Sequence, residues 1–299
     1  MFKHILVPLD GSRLSEASLI PAAILAEKFN TPVTLLHVIE QDAPSEVHAD
    51  RHLTKADEAL DYLEDTAKRA FPSKLKVKTH VHTAPVADVT RSIVEHVTTE
   101  FQTGLIVICT HGKSGLYDAL FGNIAQQVAA QAKTPILVVK PVSPRFKLEK
   151  ILVPLDPDSA HDYSLPFAES LAQAFQASLH LFSVIPTFAT LAGGQAAAGN
   201  LMPVTAQAFL DMREENARNH LQEHVEALRK KGLTASAEIA RGDPAAMIAK
   251  ATENMDMDLI ILSTHGHKGM GAFWARSVAP KVAQKTKIPL LLIPLSENE

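Results

Sequence analysis

Cysteine is nearly absent from this 299-residue chain. Its single copy, Cys109, has no partner for an internal disulfide, which excludes a disulfide scaffold and fits a reducing compartment. An excess of basic charge is also missing. Lys and Arg total 29 against 33 Asp and Glu, for a net charge of -4, so the chain offers no electrostatic footprint for nucleic acid. No apolar run approaches the roughly 20 residues of a membrane span, and no membrane partner is expected. Met1-Phe2-Lys3-His4 leads straight into a strand-like run, without the basic and then apolar regions of a secretory signal. A cytoplasmic location is therefore the expectation. Three chemical signatures are missing as well. There is no Walker A motif and no Gly-x-Gly-x-x-Gly after the first strand. There is no Gly-x-Ser-x-Gly, which argues against an α/β-hydrolase.

What the chain does have is a duplication. Residues 3–10 read Lys-His-Ile-Leu-Val-Pro-Leu-Asp and residues 149–156 read Glu-Lys-Ile-Leu-Val-Pro-Leu-Asp, identical at six of eight positions at an offset of 146. Thr110-His111-Gly112 returns as Thr264-His265-Gly266, and Lys133-Thr134-Pro135-Ile136 as Lys287-Ile288-Pro289-Leu290. Landmarks repeated in the same order, ~145 residues apart, mark two copies of a whole domain. The expected boundaries are 1–141 and 147–299. The linker, 142–146, lies in a short stretch with Pro141 and Pro144.

Apolar runs such as Ile5–Val7, Leu35–Ile39, Leu105–Ile108, Ile136–Val139 and Leu259–Leu262 are short and continuous rather than alternating. That pattern means burial on both faces, as in a parallel sheet between helix layers. Strands are expected near 3–9, 32–39, 74–82, 104–109 and 135–140, and again near 149–155, 177–185, 233–240, 258–263 and 288–293. Helical stretches lie between them, including Ser15–Phe29 with Asn30 as its stop, Leu53–Phe71, and a long helix at roughly 204–231. The fold class is α/β: two tandem doubly wound, Rossmann-like domains, each with a five-stranded parallel sheet and helices on both faces. The second copy alone inserts Pro186–Pro203, read as a surface insertion or, less simply, a lid over the strand ends.

Open parallel sheets bind ligands beyond the C-terminal ends of their strands. Asp10 ends the first strand, Val38 the second, and Thr110-His111-Gly112 follows the fourth, so all should share one edge. The loop after the fourth strand carries Gly112, Gly115 and Gly122 and opens into a helix over Ile124–Gln131. Glycines permit close backbone approach, and a helix N-terminus offers free N–H groups to phosphate. Glycine spacing alone is weak evidence.

The motifs together carry a resemblance. Val-Pro-Leu-Asp closing the first strand, His-Val-Ile closing the second, Gly-Asp-Pro-Ala at 242–245, Thr-His-Gly after the fourth strand and Lys-x-Pro before the fifth resemble a tandem universal stress protein. The resemblance covers both copies nearly end to end. It implies ATP binding through a Gly-x2-Gly-x9-Gly-(Ser/Thr) pattern. The first-strand aspartate would lie near the adenosine, and backbone at the end of the second strand against adenine. The implied first-copy site is Pro8, Asp10, Val38, Thr110, His111, Gly112, Gly115, Gly122 and Asn123. Cys109 replaces the pattern's first glycine, and Asn123 its hydroxyl residue. The implied second-copy site is Asp156, Val184, Gly266, Arg276 and Ser277. There Ser263 replaces the first glycine and Arg276 the last. Arg276 either obstructs phosphate or serves as its cation.

Blander readings stand beside these. Asp10 could simply cap the turn Asp10-Gly11-Ser12. His111 and His265 could shape their loops by hydrogen bonding, and His265-Gly266-His267 is a weak metal signal. Cys109 reads best as an inert small hydrophobe. The expected function is a stress-response accessory protein that binds ATP, with or without Mg2+, chiefly in the first domain. No placed general base is evident, so hydrolysis should be slow or absent. The alternative is a tandem scaffold or interaction protein without nucleotide. The closing strands of the two copies are expected to pair, and a homodimer is left open.

Overall fold

The computed structural model describes residues 1–47, 50–101, 104–110, 123–141, 146–156, 159–191, 201–264 and 277–294. In the first repeat the order is β1 (Ile5–Pro8), α1 (Leu19–Phe29), β2 (Val33–Glu40), β3 (Glu46–Val47), β4 (Asp50–Arg51), α2 (Ala56–Ala70), β5 (Val77–Val86), α3 (Val89–Glu95), β6 (Leu105–Cys109), α4 (Asn123–Gln131) and β7 (Ile136–Val139). The second follows with β8 (Lys150–Pro154), α5 (Leu165–Phe175), β9 (Ser178–Ile185), α6 (Pro203–Lys230), β10 (Ala235–Arg241), α7 (Pro244–Asn254), β11 (Leu259–Thr264), α8 (Val278–Lys285) and β12 (Leu290–Pro294). Among the described residues, no helix is long and apolar enough to cross a membrane.

The chain divides into two compact units. The first comprises residues 1–146 and the closing segment from Pro289, and the second includes 147–264 and 277–288. In the first unit the strand order is β5-β2-β1-β6-β7, all parallel, with β12 added antiparallel beside β7. There Leu290 faces Val138, Leu291 faces Leu137 and Leu292 faces Ile136. These strand-end runs are apolar and buried, so the pairing covers an edge that would otherwise expose unpaired backbone. In the second unit β10-β9-β8-β11 repeats the order of β5-β2-β1-β6.

Burial explains the strands. Every residue of β1, β6 and β7 is buried, as the continuous apolar runs require of central parallel strands. The strands β5 and β10, at the ends of these orders, carry mostly exposed or half-buried residues. The duplication extends to helix ends. Asn30 after α1 and Gln176 after α5 stand 146 residues apart, and both adopt the left-handed conformation, with φ of 49° and 57°. Each donates its N–H back into the last turn, to Ala26 and Ala172 respectively.

Two helix boundaries differ from the expectation. Ser15–Ser18 is a 3-10 turn, and the α-helix begins only at Leu19. Ser15 and Ser18 direct their hydroxyls to the carbonyls of Ser12 and Ser15, which tightens that turn. The helix expected from Leu53 begins at Ala56, because Leu53 is held in the loop ahead of it. The long helix of the second repeat spans Pro203–Lys230, as its periodicity suggests.

One half-buried histidine, His4, is expected to make stability depend on pH. His4 Nε2 lies 2.9 Å from the Thr34 hydroxyl, and its ring stacks on Phe101 with centroids 5.7 Å apart. Burial, and then the charge of Lys78, hold its pKa below the ordinary 6.5. The unfolded chain therefore takes this proton more readily than the folded one. The neutral-His4 contribution is complete above the ordinary value and declines as pH falls below it. His4→Asn should flatten the loss of melting temperature between pH 7.5 and 5.5. Parallel pH profiles for wild type and variant would contradict the assignment.

Candidate functional site

The site follows from strand direction. Because β2, β1 and β6 are adjacent and parallel, their C-terminal ends lie on one edge. That edge brings together the ends of three segments distant in sequence: Pro8-Leu9-Asp10, Val38 and Cys109-Thr110. Pro8 is a buried strand residue registered with Leu36, and Val38 is also buried, so Val38 can offer the edge chiefly its backbone. The ladder between β2 and β5 shifts register between Val38 and Glu40.

Asp10 begins a tightly held loop. Its Oδ1 accepts the Ser12 N–H at 2.9 Å and the Ser12 hydroxyl at 2.7 Å. The turn-capping role weighed for this residue is thus present. Gly11 has φ of +87°, and a Cβ there would lie 2.8 Å from Leu53 Cδ1. Glycine is therefore required twice over, by backbone angle and by packing.

Side chains that were given no role in the sequence hold this loop. His37 is 1% exposed and sits between two carbonyls, with Nδ1 2.8 Å from Leu9 O and Nε2 3.0 Å from Leu53 O. The Arg13 N–H donates to Asp50 Oδ2 at 2.9 Å. His37 thus clamps the end of β1 to the segment before α2. In the sequence it opens the His-Val-Ile that closes the second strand, and it is a polar residue inside an otherwise apolar run. At the matching position, 146 residues on, the second repeat has Ser183, whose buried hydroxyl has no hydrogen-bond partner among the described residues. The two repeats therefore differ at the base of the site, apart from their glycine patterns.

At the end of β6, the Thr110 N–H and hydroxyl both donate to Val139 O, at 2.8 and 3.3 Å. That hydroxyl supports the β6–β7 junction, a structural use in addition to any ligand contact. Cys109 is 4% exposed. Burial, with a smaller contribution from the charge of Asp10, pushes its thiol up to about 12. Asp10 follows β1, the parallel neighbour of β6, so its carboxylate lies near the end of β6. The inert reading of Cys109 thus has a physical basis. Native protein at pH 8 should react negligibly with a thiol-specific disulfide reagent and release one equivalent once unfolded. Rapid stoichiometric labelling of the native state would contradict the burial.

His111, Gly112, Gly115 and Gly122 lie outside the described residues. Asn123 is the first residue of α4.

In the second repeat, Leu155 N–H donates to Phe182 O at 2.8 Å, matching Leu9 to Leu36 in the first. Asp156 is exposed, and Val184 is half-buried and registered with Ala240 on β10. Ser277 caps α8, its hydroxyl accepting the Ala279 N–H at 3.3 Å. Asp243, in the Gly-Asp-Pro-Ala segment, caps α7 by accepting from Ala246 at 2.9 Å. Gly266 and Arg276 lie outside the described residues.

Comparison with known proteins decides the family. The model of the universal stress protein family matches residues 1–140 and again 147–294. The chain belongs to the universal stress protein family. Its two matches make it a tandem member, with a Rossmann-like α/β fold in both halves. Universal stress protein MJ0531 of Methanocaldococcus jannaschii is 26% identical over 141 residues, spanning 47% of this chain and 83% of its own length. Universal stress protein Sll1388 of Synechocystis is 27% identical over 154 residues, spanning 48% of this chain and 96% of its own. A crystal structure of a universal stress protein from Archaeoglobus fulgidus covers 99% of this chain and 97% of its own, at 17% identity and a TM-score of 0.68. That likeness concerns the fold.

Proposed function

We propose that this universal stress protein is a stress-response accessory protein that binds one ATP, with or without Mg2+, at the strand-end edge of its first repeat. The observation that carries the reading is the meeting of Asp10, the Val38 backbone and the Thr110 end of β6 on one edge, with α4 (Asn123–Gln131) the next described element after β6. An aspartate at this edge suits ribose hydroxyls, an extended backbone suits an adenine edge, and helix N–H groups suit phosphate. The glycine spacing from 112 to 122 supports the same assignment. Any hydrolysis is slow, because no general base is assigned over the terminal phosphate. The second repeat is the weaker site, with Arg276 in the place of the last pattern glycine and Ser183 in the place of His37.

Calorimetric titration of ATP into the purified full chain tests this reading. Saturation at one ATP per chain is expected. Absence of heat and of competition by a fluorescent ATP analogue would favour a tandem scaffold without nucleotide.

A further inference from the structure

The long helix α6 (Pro203–Lys230) places His220 and His224 one turn apart, on one face. Both rings meet Asp162, in the 3-10 segment Ser159–Ser164 that follows β8. Asp162 Oδ2 lies 3.1 Å from His220 Nε2 and 2.9 Å from His224 Nε2, and Oδ1 lies 3.2 Å from His220 Nε2. The imidazole centroids are 4.5 Å apart with planes at 85°. The three side chains are 14%, 19% and 29% exposed for His220, Asp162 and His224. Flanking residues Ala217, Leu221 and Val225 are buried, so the helix is anchored where the histidines project.

The repeat supplies an internal comparison. Glu16 stands 146 residues before Asp162, in the matching 3-10 turn of the first repeat. Glu16 accepts the Tyr62 hydroxyl at 3.2 Å and two Arg69 N–H groups at 3.0 and 3.1 Å, both partners coming from α2. The first repeat thus answers its loop carboxylate with a guanidinium, which cannot ligate a metal. The second repeat answers it with two imidazoles. Each has a ring nitrogen able to present a lone pair.

We propose that Asp162, His220 and His224 form a binding site for one divalent cation of the zinc class, with a further coordination position left for water. Two imidazole nitrogens and one carboxylate oxygen suit a borderline cation such as Zn2+ or Co2+, and disfavour the oxygen-seeking Mg2+ and Ca2+. The three ligand atoms already lie within 4.8 Å of one another. Tetrahedral bonds of about 2.0–2.1 Å place neighbouring ligand atoms roughly 3.3 Å apart. Cation entry therefore requires ligand movements of only about a few tenths of an ångström at the two imidazole–carboxylate contacts. Each Nε2 gives up the hydrogen it shares with the carboxylate, and the ring proton resides on Nδ1. The bound cation ties α6 to the loop after β8. The site lies in the second unit and is independent of the ATP assignment.

The test is Zn2+ titration of the full chain after chelator treatment, followed by calorimetry and thermal melting, with Co2+ absorption as a check on geometry. Wild type should bind one Zn2+ per chain, melt at a higher temperature with Zn2+, and give the intense visible bands of tetrahedral Co2+. Asp162→Asn should weaken Zn2+ binding about tenfold or more, and His220→Gln/His224→Gln about a hundredfold or more, with the Co2+ bands lost. Asp162→Asn removes the anionic ligand at little steric cost and keeps the test open if the double variant fails to fold. The chain has 14 histidines, so adventitious binding is the competing outcome. Equal Zn2+ affinity in wild type and Asp162→Asn, or no saturable binding in wild type, would overturn the proposal.

Discussion

Gly122→Val is expected to abolish ATP binding by the first repeat, with little change in melting temperature. The helix α4 starts at Asn123, so Gly122 immediately precedes the N–H groups that would face phosphate. A glycine there lets the backbone and the phosphate oxygens come into hydrogen-bond contact. Valine adds two methyl groups on a stiff χ1 at the point of approach. Loss of the phosphate contacts together should reduce affinity by more than about a hundredfold, since each charge-assisted bond is worth roughly 1.5–3 kcal/mol. Calorimetry with matched melting curves checks this. Unchanged affinity would move the phosphate elsewhere, whereas lost binding with a collapsed melting transition would indicate a folding defect.

Asp10→Ala has the second-largest expected effect, and it needs a companion. The carboxylate already accepts two bonds from Ser12, so its loss loosens the loop as well as removing a ligand for ribose. Ser12→Ala removes the side-chain bond to Asp10 and leaves the carboxylate in place. If Asp10 contacts ribose, Asp10→Ala should weaken ATP about ten- to a hundredfold, while Ser12→Ala should cost severalfold at most. If Asp10 only shapes the turn, the two variants should weaken ATP to a similar, small degree. Adenosine and ATP should lose affinity in parallel in Asp10→Ala, because the contact is to the nucleoside.

The parts of this protein legible in its sequence are those set by strong local signals. Continuous Ile, Val and Leu runs specify buried parallel strands, because no other common environment buries both faces of so short a segment. The repeated Val-Pro-Leu-Asp and the helix-ending Asn30 locate the same turn points in the structure. The missed details are tertiary. Leu53 looks like the start of a helix, yet it packs over Gly11 and its carbonyl faces His37, so α2 starts three residues later. Ser15 looks like the first residue of a helix, yet a chain of serine hydroxyl bonds makes a 3-10 turn there.

The two candidate sites show the same division. The strand-end position of Asp10, Val38 and Thr110 follows from topology, which the alternation of strands and helices already implies. The clamp by His37 does not, since its two carbonyl partners lie 28 and 16 residues away. The spacing of His220 and His224 is visible as a helical pair. Their meeting with Asp162, 58 and 62 residues distant in sequence, emerges only when the long helix packs against the loop after β8.

The most direct test of the central claim is native mass spectrometry of the full chain at graded ATP concentrations, for wild type and Gly122→Val. The account predicts a wild-type species carrying one ATP, saturating before any second adduct grows in, and a Gly122→Val protein that stays bare over the same range. A wild type that remains bare, or a Gly122→Val protein that still carries its ATP, would contradict the assignment of the nucleotide to the first repeat.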